Sequence, residues 1–89
     1  MFVYKKGEIE KMKKTISTES VESDFGAFIR DGREAKGMSQ REVAPLLDIS
    51  QGYYGQIELG IRHVDFVMAL RICQVLDLDI NTFVKKYVK

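Results

Sequence analysis

The chain has 89 residues, 45% hydrophobic and 30% charged, with a formal net charge of +1. This is the mixture of one small globular domain, and the near-neutral balance withholds the strongly basic signature that nucleic-acid binding often carries. One cysteine, Cys73, excludes an internal disulfide and a thiolate metal cluster. One histidine, His63, leaves no usual zinc-ligand set.

The lysine-rich start has no apolar stretch behind it, which is not a signal-peptide pattern. No apolar run approaches the roughly 20 residues of a membrane helix. The expectation is a cytoplasmic protein without membrane partner, metal or cofactor.

Residues 1–23 read as an N-terminal arm. They combine Lys5, Lys6, Lys11, Lys13 and Lys14 with four glutamates and a Ser/Thr-rich stretch from Thr15 to Ser23. Such a segment is either a solvated tail or a strand of charge laid along phosphates. Phe2, Val3 and Tyr4 form a short apolar run that could pair as a strand or pack on a neighbour. Gly7-Glu8 can be encoded by the purine-rich GGAGAA just ahead of Met12, which makes Met12 an alternative translation start to Met1.

From Asp24 to Lys89 the pattern is helical. Phe25, Phe28, Ile29 and Gly32 fall on one face of a first helix, and Gly37 supplies its left-handed cap. Ser39-Gln40-Arg41-Glu42 is a capping box. It opens a second helix, about 40–47, with Val43, Leu46 and Leu47 apolar. Asp48-Ile49-Ser50 is a tight turn, and a third helix runs from about 51 to 59, closed by Gly60. Asp65 caps a fourth helix striped with Phe66, Ala69, Leu70, Cys73 and Leu76. Asp79 caps a fifth with Ile80, Phe83, Val84, Tyr87 and Val88. Five short amphipathic helices with short loops predict a compact all-α domain. Cys73 lies in the apolar stripe and is expected to be a buried, inert thiol. His63 is expected at the surface or at a helix start. No catalytic constellation is visible, and the chain is read as a non-enzyme.

Arg33, Gly37, Ser39-Gln40, Glu42-Val43-Ala44, Leu47, Ile49-Ser50, Ile57-Glu58 and Gly60 together resemble the XRE family of helix-turn-helix regulators, which includes the phage repressors. The resemblance covers about residues 24–88. It implies a sequence-specific DNA-binding transcriptional regulator. Helix three would lie in the major groove and the start of helix two against the backbone. It also implies a structural ion pair between Arg33 and Glu58. Losing one partner of such a buried pair costs roughly 3–5 kcal/mol. Ala44 would be small because helices two and three approach there, with Leu47, Ile49, Tyr54 and Ile57 turned inward.

With Tyr54 and Ile57 inward, helical geometry turns Gln51, Gly52, Gly55 and Gln56 outward. Gln51, Gly52 and Gln56 are therefore the candidate base contacts, since glutamine can hydrogen-bond an adenine edge twice. Gln40 and the free N–H groups at the start of helix two suit a phosphate oxygen. Arg41, Tyr53, Arg62 and Lys36 are further candidates for the DNA backbone.

Several residues depart from the family pattern. Gly52 and Gly55 replace polar side chains at a cost of about 1 kcal/mol each in helix stability. Pro45 interrupts helix two and should bend it. Asp48 stands where the turn glycine is expected, and aspartate tolerates the left-handed conformation. The stretch after Gly60 lacks the family's common proline. Between 24 and 62 there are five Lys/Arg against six Asp/Glu. The partners expected are double-stranded DNA and a second copy of the chain, paired through the fifth helix or the N-terminal arm. The alternative is a protein-binding antitoxin or adaptor on the same fold.

Overall fold

The computed structural model describes Lys5 and residues 16–88. The Phe2–Tyr4 run, Lys6, Lys11, Lys13, Lys14 and the Met12 start lie outside those residues. The described chain is all-helical: α1 (Thr18–Ala35), α2 (Gln40–Leu46), α3 (Gln51–Glu58), α4 (Phe66–Val75) and α5 (Ile80–Val84).

The first helix begins at Thr18, not Asp24, so Thr18–Ser23 belong to α1 rather than to an arm. Ser17 is extended, and its hydroxyl accepts from the Ser20 N–H at 3.2 Å. Glu19 sits in the first turn, where the helix dipole favours an acid. Val21 packs on the core. The polar composition that suggested a tail is the exposed side of a capped helix.

The next four helices are capped as the side chains dictate. Ser39, Ser50, Asp65 and Asp79 each accept a backbone N–H from the first turn. Four of the five helices end in one Schellman arrangement. Gly37 (φ 67°), Asp48 (φ 58°), Gly60 (φ 76°) and Asp77 (φ 54°) take the left-handed position. The following N–H groups, of Met38, Ile49, Ile61 and Leu78, close onto Arg33, Ala44, Gln56 and Cys73 carbonyls. Pro45 lies inside α2, one residue before its end at Leu46.

Ile29, Val43, Tyr54, Ile57, Ile72 and Leu76 are fully buried where the helices meet. Phe83 brings α5 onto α1, edge-on to Phe25 at 5.3 Å and tilted against Phe28 at 5.5 Å. The Tyr87 hydroxyl donates to Asp24 and ties down the chain after α5. Cys73 is buried; desolvation, helped by the Asp79 charge, pushes its thiol up and keeps it protonated.

Two features fasten α3 to α1. The first is contact. A Cβ on Gly26 would stand 2.3 Å from the Glu58 carbonyl oxygen and 2.7 Å from that of Ile57. The second is ionic. Arg33 Nε and Nη2 donate to the two Glu58 carboxylate oxygens at 2.7 and 3.0 Å. Arg33 Nη1 donates to the Met38 carbonyl at 2.8 Å, and Gln40 Nε2 to Glu58 Oε1 at 3.0 Å. The Glu58 side chain is 3% exposed and that of Arg33 12%. Burial by itself would raise the Glu58 pKa. The hydrogen bonds, Arg33's foremost, outweigh it and hold the carboxyl below its ordinary range. The same pairing raises Arg33 against its own desolvation.

Gly26→Ala must push α1 off α3 and is expected to cost about 1–3 kcal/mol. Gly52→Ala is the control: open space surrounds that position, and the exchange is expected to stabilise by about 1 kcal/mol through helix propensity. Thermal unfolding by circular dichroism separates the two; equal midpoints would contradict the close contact. Glu58→Ala, which leaves the Arg33 charge unpaired, is expected to cost about 3–5 kcal/mol. Because the folded-state value of Glu58 is depressed, its contribution is complete above the unfolded value of about 4.3 and is lost as pH falls through the folded value. Urea midpoints of the parent should therefore fall more steeply on acidification below about pH 4.3 than those of Glu58→Gln.

Candidate nucleic-acid interface

The outward side of α3 follows from what its inward side is tied to. Tyr54, Ile57 and Glu58 are buried, which turns positions 51, 52, 55, 56 and 59 away from the core. Gln51 and Gly52 are exposed, and Gly55 and Gln56 are half-buried. With Gln40 and Leu59 they line one shallow concavity. The floor is helix backbone, because neither Gly52 nor Gly55 carries a side chain.

Gln40 lies across this surface. Its Oε1 would be 3.1 Å from a Cβ on Gly55, while its Nε2 is engaged by Glu58. Gly55 thus leaves room for Gln40, and Gln40 doubles as part of the Arg33–Glu58 network. The start of α2 is already partly satisfied. Ser39 Oγ accepts the Glu42 N–H at 3.1 Å, and the Glu42 carboxylate accepts the Ser39 N–H at 3.0 Å. These bonds hold the Glu42 pKa below its ordinary range.

Gln56 and Arg62 meet across the turn at Gly60. The Ile61 N–H closes onto the Gln56 carbonyl at 3.1 Å, which brings the next residue alongside α3. Arg62 Nε then donates to Gln56 Oε1 at 3.0 Å, with its guanidinium carbon 4.7 Å from the Tyr53 ring centroid. Arg41 is exposed at the start of α2. Lys36 reaches toward Asp77, 3.9 Å away, in the turn after α4.

The structure therefore gathers Gln40, Gln51, Gly52 and Gln56 on one surface, with Tyr53 and Arg62 beside Gln56. It gives Lys36 a carboxylate neighbour. Sequence reasoning missed Leu59, which is 71% exposed at the end of the same face. Its spacing of three from Gln56 and four from Gly55 was the available signal. The Gln40–Glu58 and Arg62–Gln56 contacts were also missed. They join residues on different elements, and no periodicity reports them.

His63 is exposed, with Nδ1 2.5 Å from a Glu22 carboxylate oxygen. Among the described residues, no cluster of three or more His, Cys, Asp or Glu is placed to hold a metal ion. No helix among them is long and apolar enough to cross a membrane.

A helix-turn-helix family model, HTH_3, matches residues 29–83. The chain is 36% identical over 58 residues to the HTH-type transcriptional regulator RamB in two strains of Mycobacterium tuberculosis. That match covers 65% of this chain but 12% of each relative, so the chain corresponds to a small part of those proteins. It is similar in structure to the clp gene regulator ClgR from Corynebacterium glutamicum. The TM-score is 0.69 and the identity 25%, over 75% of this chain and 71% of that one. The capped helix pair, the α3 surface and these matches agree: the chain belongs to the XRE-type helix-turn-helix family.

Proposed function

We propose that the chain is a sequence-specific DNA-binding transcriptional regulator that places α3 in the major groove. The observation carrying this reading is the outward face of α3. It is open backbone at Gly52, with the Gln40 side chain laid over Gly55, flanked by the amides of Gln51 and Gln56. Unbranched neutral amides on a rigid helix suit base edges, and missing side chains let the helix approach closely. Arg41 and Arg62 are the candidate phosphate contacts, with the Tyr53 hydroxyl as a further donor. Gln40 reaches a phosphate only with the amide atoms that Glu58 leaves free. Lys36 reaches one by leaving Asp77. The reading assigns binding, not catalysis, to the domain.

A homodimer is part of the proposal, because two half-sites about one DNA turn apart match a two-fold protein. Much of the apolar face of α5 is spent on the core through Phe83, with Ile80 and Val84 partly buried. α4 leaves apolar surface in the open, with Phe66, Val67 and Leu70 72%, 57% and 40% exposed. We assign the dimer contact to that face. The protein-partner reading draws on Leu59 and Ile61, both 71% exposed beside α3.

Gel shifts against the chain's own upstream DNA at two salt concentrations distinguish the readings. Specific binding that weakens steeply with salt is expected if phosphates are neutralised. Changing Gln51 and Gln56 together to alanine should lower discrimination between operator and unrelated DNA by roughly tenfold or more. The thermal midpoint should stay nearly unchanged. A double variant that binds its operator as the parent does removes the base-reading assignment, and salt-insensitive capture of a protein supports the adaptor reading instead.

A further inference from the structure

We infer that Arg62 sets the hydrogen-bonding polarity of Gln56, so that this corner of the interface presents N–H donors and reads the guanine edge of a G·C pair. The inference rests on the DNA-reading function proposed above and names what one of its contacts selects.

Arginine has no acceptor atom. Arg62 Nε lies 3.0 Å from the Gln56 amide, and only an oxygen can receive it. The orientation of the Gln56 amide is thereby fixed without reference to hydrogen positions. Two further contacts hold the arrangement. The Tyr53 ring, three residues before Gln56 on α3, carries the guanidinium on its face at 4.7 Å. The Schellman turn at Gly60 clamps the backbone that delivers Arg62, through the Ile61 N–H to the Gln56 carbonyl. No carboxylate among the described residues forms a salt bridge with Arg62.

The base chemistry follows from this polarity. Reading adenine with a glutamine needs the amide oxygen to accept from N6 while the amide nitrogen donates to N7. At Gln56 Arg62 already occupies one of that oxygen's two acceptor sites, and the cationic N–H groups beside it oppose the approach of the adenine amino group, itself a donor. Guanine presents two acceptors, N7 and O6. The Gln56 Nε2 and the outer nitrogens of Arg62 are donors that no side chain among the described residues satisfies. Gln51 differs: it is exposed, and no side-chain partner takes either end of its amide among the described residues. It keeps both its donor and its acceptor, the combination that suits adenine. One half-site is therefore expected to hold an A·T pair read by Gln51 and a G·C pair read by Gln56 with Arg62. In this scheme Arg62 faces the base rather than a phosphate, and it is a positioning residue as well as a contact.

Selection of binding sequences from a randomised duplex pool tests this, with the full chain and its Gln56→Ala, Gln51→Ala, Arg62→Met and Arg62→Lys variants. The pair whose preference vanishes in Gln56→Ala should be G·C in the parent. Arg62→Met keeps the apolar stem and removes the donors. It should shift that pair toward A·T by roughly tenfold, with the Gln51-dependent pair and the thermal midpoint unchanged. Arg62→Lys, which still donates to the amide oxygen, should keep G·C. An A·T pair at the Gln56-dependent position of the parent overturns the inference and leaves the DNA-reading function standing. So does an Arg62→Met profile identical to the parent's. A pool from which the parent enriches no sequence overturns the function itself.

Discussion

The Glu58 carboxylate is the point from which the rest of the structure takes its geometry. It stands at the end of α3 and is almost inaccessible, gripped on both oxygens by an arginine from α1. An eight-residue helix is too short to be stable alone in water, so the orientation of α3 is supplied from outside it. Tyr54 and Ile57 press it into the core, and Gly26 lets α1 come to backbone contact. The two-pronged arginine bond fixes the remaining freedom, because such pairs are directional as well as strong. Ion pairs of this kind are weak sources of net stability compared with apolar packing. Here the pair acts on orientation: it determines which residues of α3 face outward.

What faces outward carries almost no charge of its own. The outward surface of α3 is built, with Gln40, from three amides, two glycines and a leucine, and the charges beside it, Arg41 and Arg62, are few. A protein with net charge +1 gains little from long-range attraction to a polyanion. Its discrimination has to come from close fit and hydrogen-bond polarity. This gives meaning to the glycines, which cost helix stability but lower the surface, and to the contact that turns Gln56 one way round. The Arg33–Glu58–Gln40 network behind α3 and the Arg62–Gln56–Tyr53 group beside it are two layers of one arrangement. The first orients the helix, and the second orients a side chain on it.

Much of this was visible in the amino-acid order because the relevant forces are local. The Ser39–Glu42 box, the glycines at 37 and 60 and the Cys73–Leu76 end of the α4 stripe each act within a few residues; Phe66 and Leu70, expected in that stripe, are exposed, and Ile72 is buried in their place. Asp48 was readable as a left-handed residue because the turn required one. Asp77 plays the same part, with no glycine beside it to mark the turn. The start of α1 was set too late because Thr18–Ser23 offers polar residues to solvent on most of its surface. Only Ser17 as a cap and Val21 as a core contact betray the helix. Gly26 carried a signal in principle, a glycine on the apolar side of an amphipathic helix, but its neighbour on α3 lies far along the chain. Gln40 and Arg62 were read as phosphate ligands from type and position. Their partners, Glu58 and Gln56, emerge only when the helices are packed.

The most direct measurement is a titration of the ¹⁵N-labelled chain with its upstream operator duplex, followed by amide resonances. The backbone amides of Gly52 and Gly55 and the side-chain amides of Gln51 and Gln56 are expected to move first and furthest, while the Arg33 guanidinium signals keep their positions. Shifts confined to Phe66, Val67 and Leu70 on α4, with the face of α3 unmoved at saturating DNA, would contradict it.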